Sequence, residues 1–227
     1  MTDTKSRLKS VINHIKHAEK KFGRQPDSVQ LLAVSKVHPL DQIRDAYAAG
    51  QTHFGENYLQ EALEKIEQIS NLNIDWHFIG AIQSNKTRSI AENFSWAHGV
   101  GSSKIAQRLS EQRPEHLPPL NICLQVNISG EERKSGISPD DVMAIAKECI
   151  GLPGIKLRGL MTIPKYTTDM EQQRPPFKKL RQLKELLNQA GIDMDTLSMG
   201  MSGDMEAAIA EGATIVRIGT NIFGRRQ

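Results

Sequence analysis

No apolar stretch in these 227 residues is long enough to span a bilayer as a helix. The opening Met1-Thr2-Asp3-Thr4-Lys5 lacks the apolar segment of a secretory signal, so the expectation is a cytosolic chain. Only two cysteines are present, Cys123 in an expected core strand and Cys149 in an expected helix. They make no disulfide framework, and a reducing compartment suits them. Charge of one sign is scarce too. A formal net charge of +3, with its basic residues scattered, gives no footprint for nucleic acid. No glycine-rich dinucleotide fingerprint follows the first expected strand, which argues against a Rossmann unit.

What is present is a charged fraction of 24% and an apolar fraction of 38%, as in a soluble globular protein. Strand-like and helix-like segments alternate from end to end. Leu8, Val11, Ile12, Ile15 and Ala18 recur at helical spacing and predict a helix over 5–22. Short apolar runs predict strands at 30–35, 52–55, 75–79, 95–100, 121–128, 155–161, 195–199 and 214–218. Helices are expected at 40–49, 57–70, 86–93, 103–112, 139–150, 171–190 and 203–211. Gly50, Gly191 and Gly212 stand where helices should end. Ser138-Pro139-Asp140-Asp141 reads as a helix start, with proline at the first helical position. The proline-containing stretches 113–119 and 162–176 read as loops, and neither resembles an interdomain linker.

Alternating strands and helices imply parallel pairing through right-handed crossovers. An open doubly wound sheet and a closed (β/α)₈ TIM barrel both satisfy this, and a count of eight favours the barrel, as one α/β domain over 1–227. The last strand has only a short tail after it, so the extra N-terminal helix is expected to cover it.

A barrel gathers the C-terminal ends of its strands on one rim, where active sites lie. The first strand delivers Lys36 there. An ammonium at the end of a buried run needs an anion or a carbonyl partner, and a desolvated, neutral amine forms Schiff bases. A lone lysine in this position is otherwise explained by snorkelling out of the strand end. The second strand runs into Gly55-Glu56-Asn57-Tyr58, the third into Gly80 and Gln83-Ser84-Asn85-Lys86, the fifth ends in Asn127 and the sixth in Met161-Thr162. The turns after strands seven and eight of such barrels often build a phosphate site. Here they carry Ser202-Gly203-Asp204, opening an expected helix, and Gly219-Thr220. Singly, these are ordinary turns with Ser202 as a cap; together, beside a strand-end lysine, they describe a site.

A Schiff-base lysine next to a phosphate cradle fits pyridoxal 5′-phosphate (PLP), and it also fits an aldolase acting on a sugar phosphate. Arg217, on the eighth strand, bears on the choice. A guanidinium only donates, so a pyridine nitrogen facing it stays unprotonated and the ring becomes a weaker electron sink. That suits cofactor holding or racemase-like chemistry better than transamination. A structural ion pair in the barrel mouth explains Arg217 equally well on spacing alone.

Other residues have plainer readings. His14 and His17 share a helix face without a nearby third ligand, so no metal site is expected. His77, Trp76 and Trp96 read as packing, and Met199, Met201 and Met205 as filling around the barrel mouth. Lys178-Lys179-Leu180-Arg181 reads as a solvated helix face.

The ordered motifs Ala33-Val34-Ser35-Lys36, Phe54-Gly55-Glu56-Asn57-Tyr58, Trp76-His77-Phe78-Ile79-Gly80, Lys134-Ser135-Gly136, Arg158-Gly159-Leu160-Met161, Ser198-Met199-Gly200-Met201-Ser202 and Val216-Arg217-Ile218-Gly219-Thr220 run nearly the whole chain. In them the chain resembles the YggS/PROSC family of pyridoxal phosphate homeostasis proteins, which share the alanine racemase N-terminal barrel. The resemblance implies PLP held as an aldimine on Lys36. It implies a phosphate held by Ser202, Gly219 and Thr220, Arg217 facing the pyridine nitrogen, and Asn57 and Met161 near the ring. It also implies a barrel without the β-domain that gives alanine racemases a second proton-transfer residue. Two departures stand out. His38 occupies a place where relatives often have a second lysine, and Arg225-Arg226-Gln227 is shorter than their basic tail. Lys134 reads as a solvated loop lysine.

Three functions remain in play. One is a monomeric PLP carrier, with PLP-dependent apoenzymes as acceptors and no membrane or nucleic-acid partner, that serves vitamin B6 homeostasis and touches amino-acid and keto-acid metabolism indirectly. The second is a PLP-dependent racemase or lyase, for which Tyr58 or His77 would be the second acid/base. The third is an aldolase without PLP.

Overall fold

The computed structural model describes residues 3–131 and 135–224. Lys134 and Arg225-Arg226-Gln227 therefore lie outside the described residues. The strands are β1 Gln30–Val34, β2 His53–Glu56, β3 Asp75–Phe78, β4 Trp96–Val100, β5 Leu120–Gln125, β6 Ile155–Met161, β7 Thr196–Ser198 and β8 Ile215–Ile218. The helices are α1 Thr4–Lys21, α2 Leu40–Ala48, α3 Leu59–Gln68, α4 Thr87–Asn93, α5 Ser103–Glu111, α6 Val142–Cys149, α7 Met170–Gln189, α8 Met205–Ala210 and α9 Thr220–Phe223. Each strand pairs in parallel with the next, and β8 closes onto β1 from Gln30–Ile215 to Ala33–Ile218. The closed (β/α)₈ barrel is thus the architecture, and the open sheet is not.

Strands buried on both faces read as unbroken apolar runs, which is why β1 is Gln-Leu-Leu-Ala-Val. Alternation along β1 sends Leu31 and Ala33 under the helices and Leu32 and Val34 into the barrel. The outer layer is one continuous core, and a smaller cluster of Leu32, Val34, Ile79, Trp96, Cys123, Met161 and Ile215 lies inside. The N-terminal helix does cover the last strand's gap: α1 packs on α2, α8 and α9 and buries Leu8, Val11, Ile15 and Ala18. Gly50, Gly191 and Gly212 follow α2, α7 and α8 with φ of +99°, +84° and +96°, the left-handed conformation that ends helices.

Three boundaries differ from the sequence reading. β5 stops at Gln125, because Val126 and Asn127 turn to pair with Ile137. Asn127 is therefore beyond the strand rather than its last residue. Ser138 makes no side-chain cap; a single 3-10 turn over Pro139–Asp141 precedes α6. The stretch 162–176 is not all loop, since α7 begins at Met170 and contains Pro175 and Pro176. Two prolines remove two helical donors, yet the helix holds because it is anchored on both sides of them. Gln173 donates to the Thr167 and Gly203 carbonyls, and Phe177 and Leu180 are fully buried. No helix among the described residues is long and apolar enough to cross a membrane.

The sheet register slips between Ile122–Leu157 and Cys123–Gly159, a bulge that Gly159 permits. A Cβ there would stand 1.8 Å from the Thr196 carbonyl oxygen. Gly159→Ala is expected to cost about 3 kcal/mol or more, since the obstacle is the backbone of β7. Urea denaturation checks this, and a cost near zero would mean the strands part freely.

Candidate functional site

Lys36 follows β1 on a short rim segment whose shape is set from outside the barrel. Ser35, buried beneath it, donates its hydroxyl to Glu56 Oε1 at 2.7 Å. Lys65 of α3 donates to the same oxygen at 2.8 Å, to the Ser35 carbonyl at 2.8 Å and to Glu61 Oε1 at 2.5 Å. Glu61 in turn accepts from the Val37 N–H at 2.6 Å. Val37 has φ of +58°, a strained conformation for a β-branched residue, and this contact helps hold it. Burial raises the Glu56 pKa, against the pull of Lys65. Sequence reading missed Lys65 and Glu61, because a lysine four residues after a glutamate on a helix looks like a surface pair.

Above this clamp a pocket opens at the C-terminal ends of the strands. It is lined by Val34, Lys36, His38, Asn57, Ile79, Ile163, Met201, Ser202, Arg217, Gly219 and Thr220, and encloses about 660 Å³ of space open to solvent. Its concave lining of apolar side chains with a few polar groups suits a small organic ligand. Six of the seven residues picked out by sequence, namely Lys36, Asn57, Ser202, Arg217, Gly219 and Thr220, stand on its wall. The seventh, Met161, is 1% exposed and packs in the interior cluster with Val34 and Ile79, two residues of the wall, but is not on the wall itself. Tyr58 and His77 are not on the wall either; Tyr58 is exposed, and His77 lies deep in the barrel.

Several polar groups of this mouth bear on what it can hold. Among the described residues, the Ser202 and Gly203 N–H groups make no backbone hydrogen bond. Gly219 approaches the Val34 carbonyl so closely that a Cβ would be 3.0 Å from it. Asn57 Oδ1 is buried without a protein partner. Asp204 Oδ1 accepts from the Met201 N–H at 2.5 Å, and burial raises the Asp204 pKa. Ser202 itself is not the cap of α8; that position belongs to Asp204.

Arg217 is 4% exposed. Its Nη1 donates to Ser198 Oγ and its Nη2 to the Thr162 carbonyl, both at 2.9 Å. These partners are neutral, so the guanidinium is seated by dipoles rather than by the ion pair that spacing left open. Burial lowers its pKa to about 10, and it stays charged at neutral pH. Beneath it a polar column continues. His98 Nδ1 is 2.7 Å from Ser198 Oγ, His77 Nδ1 is 2.9 Å from His98 Nε2, and His53 Nδ1 is 3.2 Å from His77 Nε2. The His77 ring stacks on Trp96 at 5.3 Å.

Among known proteins, the family of the alanine racemase N-terminal domain matches residues 7–227. The Pyridoxal phosphate homeostasis protein of Pseudomonas aeruginosa is 55% identical over 226 residues, covering 100% of this chain and 97% of that protein. An unknown protein from Bifidobacterium adolescentis superposes with a TM-score of 0.89 at 36% identity, over 97% of this chain and 94% of that one. PipY of Synechococcus elongatus, with PLP bound, gives 0.81 at 39% identity over 92% of this chain and 100% of that one. Fold and family match together define a barrel of the alanine racemase N-terminal class. Within that class, the chain belongs to the pyridoxal phosphate homeostasis protein family.

Two stability predictions follow from these buried groups. Lys65→Met leaves the Glu56 carboxylate without its cation, an expected loss of about 3–5 kcal/mol in chemical denaturation, and adding Glu56→Gln should recover much of it. His77 and His98 have pKa values pushed down by burial, His98 to about 3. Unfolding returns them to about 6.5, so below that pH the unfolded chain binds more protons and stability falls. His98 should remove about 2 kcal/mol between pH 7 and pH 5 and His77 adds in the same direction, read as a falling denaturation midpoint that is shallower in His77→Gln.

Proposed function

We propose that this protein binds PLP as a Schiff base on Lys36 and holds it for vitamin B6 homeostasis, with no substrate turnover of its own. The observation that carries the reading is the gathering of Lys36, Arg217, Ser202, Gly219 and Thr220 on one pocket wall. The naming of relatives as pyridoxal phosphate homeostasis proteins and the PLP-bound PipY support it.

When bound, PLP supplies an aldehyde that condenses with an amine and a ring that takes up electron density. The chain's own residues do the rest. Lys36 provides the amine, on a backbone fixed through Val37 and Ser35. Ser202, Gly219 and Thr220 receive the phosphate, and the Ser202 N–H, which makes no backbone hydrogen bond among the described residues, can donate to it. Asn57 offers its buried amide to a polar ring substituent. Arg217 donates toward the ring nitrogen and has no proton to accept there. On this reading the whole chain acts in the cytosol as one monomeric PLP-binding domain, and it passes cofactor to PLP-dependent apoenzymes. Its effect on amino-acid and keto-acid metabolism is indirect.

The test is the visible spectrum of the purified protein incubated with PLP, beside Lys36→Ala. The expected result is a yellow band in the wild type that borohydride bleaches while fixing pyridoxyl on the Lys36 peptide, and no such adduct in the variant. A colourless wild type would remove PLP from the account. Robust amino-acid racemisation or elimination that disappears in Lys36→Ala would replace the carrier by an enzyme.

A further inference from the structure

His53, His77 and His98 occupy inward positions of β2, β3 and β4, and their rings form a line from the underside of the barrel to Ser198 and Arg217. A neutral imidazole has one N–H and one lone pair, so linked rings must all point the same way. The line therefore has two orientations. In the first, Ser198 donates to His98 Nδ1, His98 Nε2–H donates to His77 Nδ1, and His77 Nε2–H donates to His53 Nδ1. Ser198 is then fully used, since its oxygen also accepts from Arg217 Nη1. In the second, every bond reverses. Ser198 Oγ then accepts from both His98 and Arg217, and its own proton loses the His98 acceptor.

The lower end decides between them. A protonated His53 carries N–H on both nitrogens, so its Nδ1 no longer accepts and the first orientation is forbidden. Asp75 Oδ2, 3.6 Å from His53 Nδ1, favours that protonated form. His53 is within reach of solvent. Its side chain is 30% exposed and lines an underside cleft that is open to solvent. The charged and titratable groups facing it are Asp75 and His77 from β3, Lys16 and Glu19 from α1, and Asp27 from the loop before β1.

We propose that His53, His77, His98 and Ser198 form a positioning relay that ties the seating of Arg217 to the protonation of His53 at the opposite end of the barrel. One proton is taken up in the switch. Counted by site, the Nδ1 atoms of His53, His77 and His98 each gain a proton, the Nε2 atoms of His77 and His98 each lose one, and Ser198 keeps its hydroxyl, so the one proton drawn from solvent at the His53 end balances the switch. Arg217 then shares its Ser198 acceptor with His98. Burial lowers the His53 pKa against the pull of Asp75, which sets the switch below the ordinary histidine value.

Histidine nitrogen NMR on the unloaded protein, from pH 8 to pH 5, tests the relay directly. His77 and His98 should stay neutral and pass from the Nε2–H to the Nδ1–H tautomer with the midpoint of His53. In His53→Gln both should keep one tautomer throughout. Tautomers that stay fixed in the wild type while His53 titrates would overturn the relay, whatever any variant does. The link to the pocket rests on the PLP reading above and has its own readout. PLP affinity should change about 3- to 10-fold across the His53 midpoint, the size of one altered hydrogen bond, and this inflection should vanish in His53→Gln. Superimposed profiles would overturn the link to Arg217. Failure to bind PLP at all would cost the cofactor reading and leave the tautomer result standing.

Discussion

A guanidinium sealed inside a parallel barrel has to find its acceptors there, and Arg217 imposes that requirement on its neighbours. Barrel interiors are usually layers of branched apolar side chains. Here Leu32 and Val34 of β1, Cys123 of β5 and Met161 of β6 follow that rule. His53, His77, His98, Ser198 and Arg217 from β2, β3, β4, β7 and β8 break it. Taking a charge from water costs several kcal/mol unless strong partners replace the water. Arg217 takes the Thr162 carbonyl and the Ser198 hydroxyl. Ser198 is bonded in turn to His98, and His98 to His77. The polarity of the core is propagated downward, one hydrogen bond at a time, until His53 reaches the solvent edge.

The second buried charge network obeys a different logic and lies on the other face of the sheet. Lys65 is paired with Glu56 and Glu61 between β2 and α3, so the buried cation is held by carboxylates and not by neutral dipoles. Its geometric consequence is at the rim. Glu56 fixes the Ser35 hydroxyl, and Glu61 fixes the Val37 N–H in a left-handed conformation that costs about 1–2 kcal/mol for an L-residue. Lys36 stands between these two anchored residues. The segment that presents the amine is therefore set by contacts outside the pocket, and the pocket wall itself stays available to a ligand. The two networks meet the same mouth from below and from the side.

Much of this was legible from residue order. Eight apolar runs separated by helical periods, with Gly191 and Gly212 ending helices, suffice to argue a barrel, and the barrel then sorts Lys36, Ser202, Arg217, Gly219 and Thr220 onto one rim. What stayed hidden depends on register and on which way a strand faces. His77 and His98 each look like a solitary core histidine, and only the pairing of His77 with Trp96 across β3 and β4 brings them into one line. Lys65 looks solvated because a lysine on an amphipathic helix normally is. Pro175 and Pro176 read as loop because local propensity says so, whereas Gln173 and Phe177 hold the helix by tertiary contacts. The resemblance sets Met161 near the ring; it packs inside the barrel with the wall residues Val34 and Ile79 and is not itself on the wall.

The same buried arginine separates holding a cofactor from exploiting it. A strong electron sink needs an acid at the ring nitrogen, and the usual device is a carboxylate that keeps the nitrogen protonated. In this mouth, the carboxylate whose field reaches Arg217 is Asp204, and that group is committed to the Met201 N–H. A guanidinium that remains charged, seated on neutral acceptors, donates one hydrogen bond and withholds the proton. On the proposed reading such a site grips the ring while leaving its chemistry weak, as a carrier requires. Turning the site toward catalysis would take an acid within reach of the ring nitrogen, and the polar column beneath Arg217 is built of imidazoles that burial holds neutral. Among the described residues, the interior thus stabilises one donor and sets the neutral rings of His98 and His77 behind it.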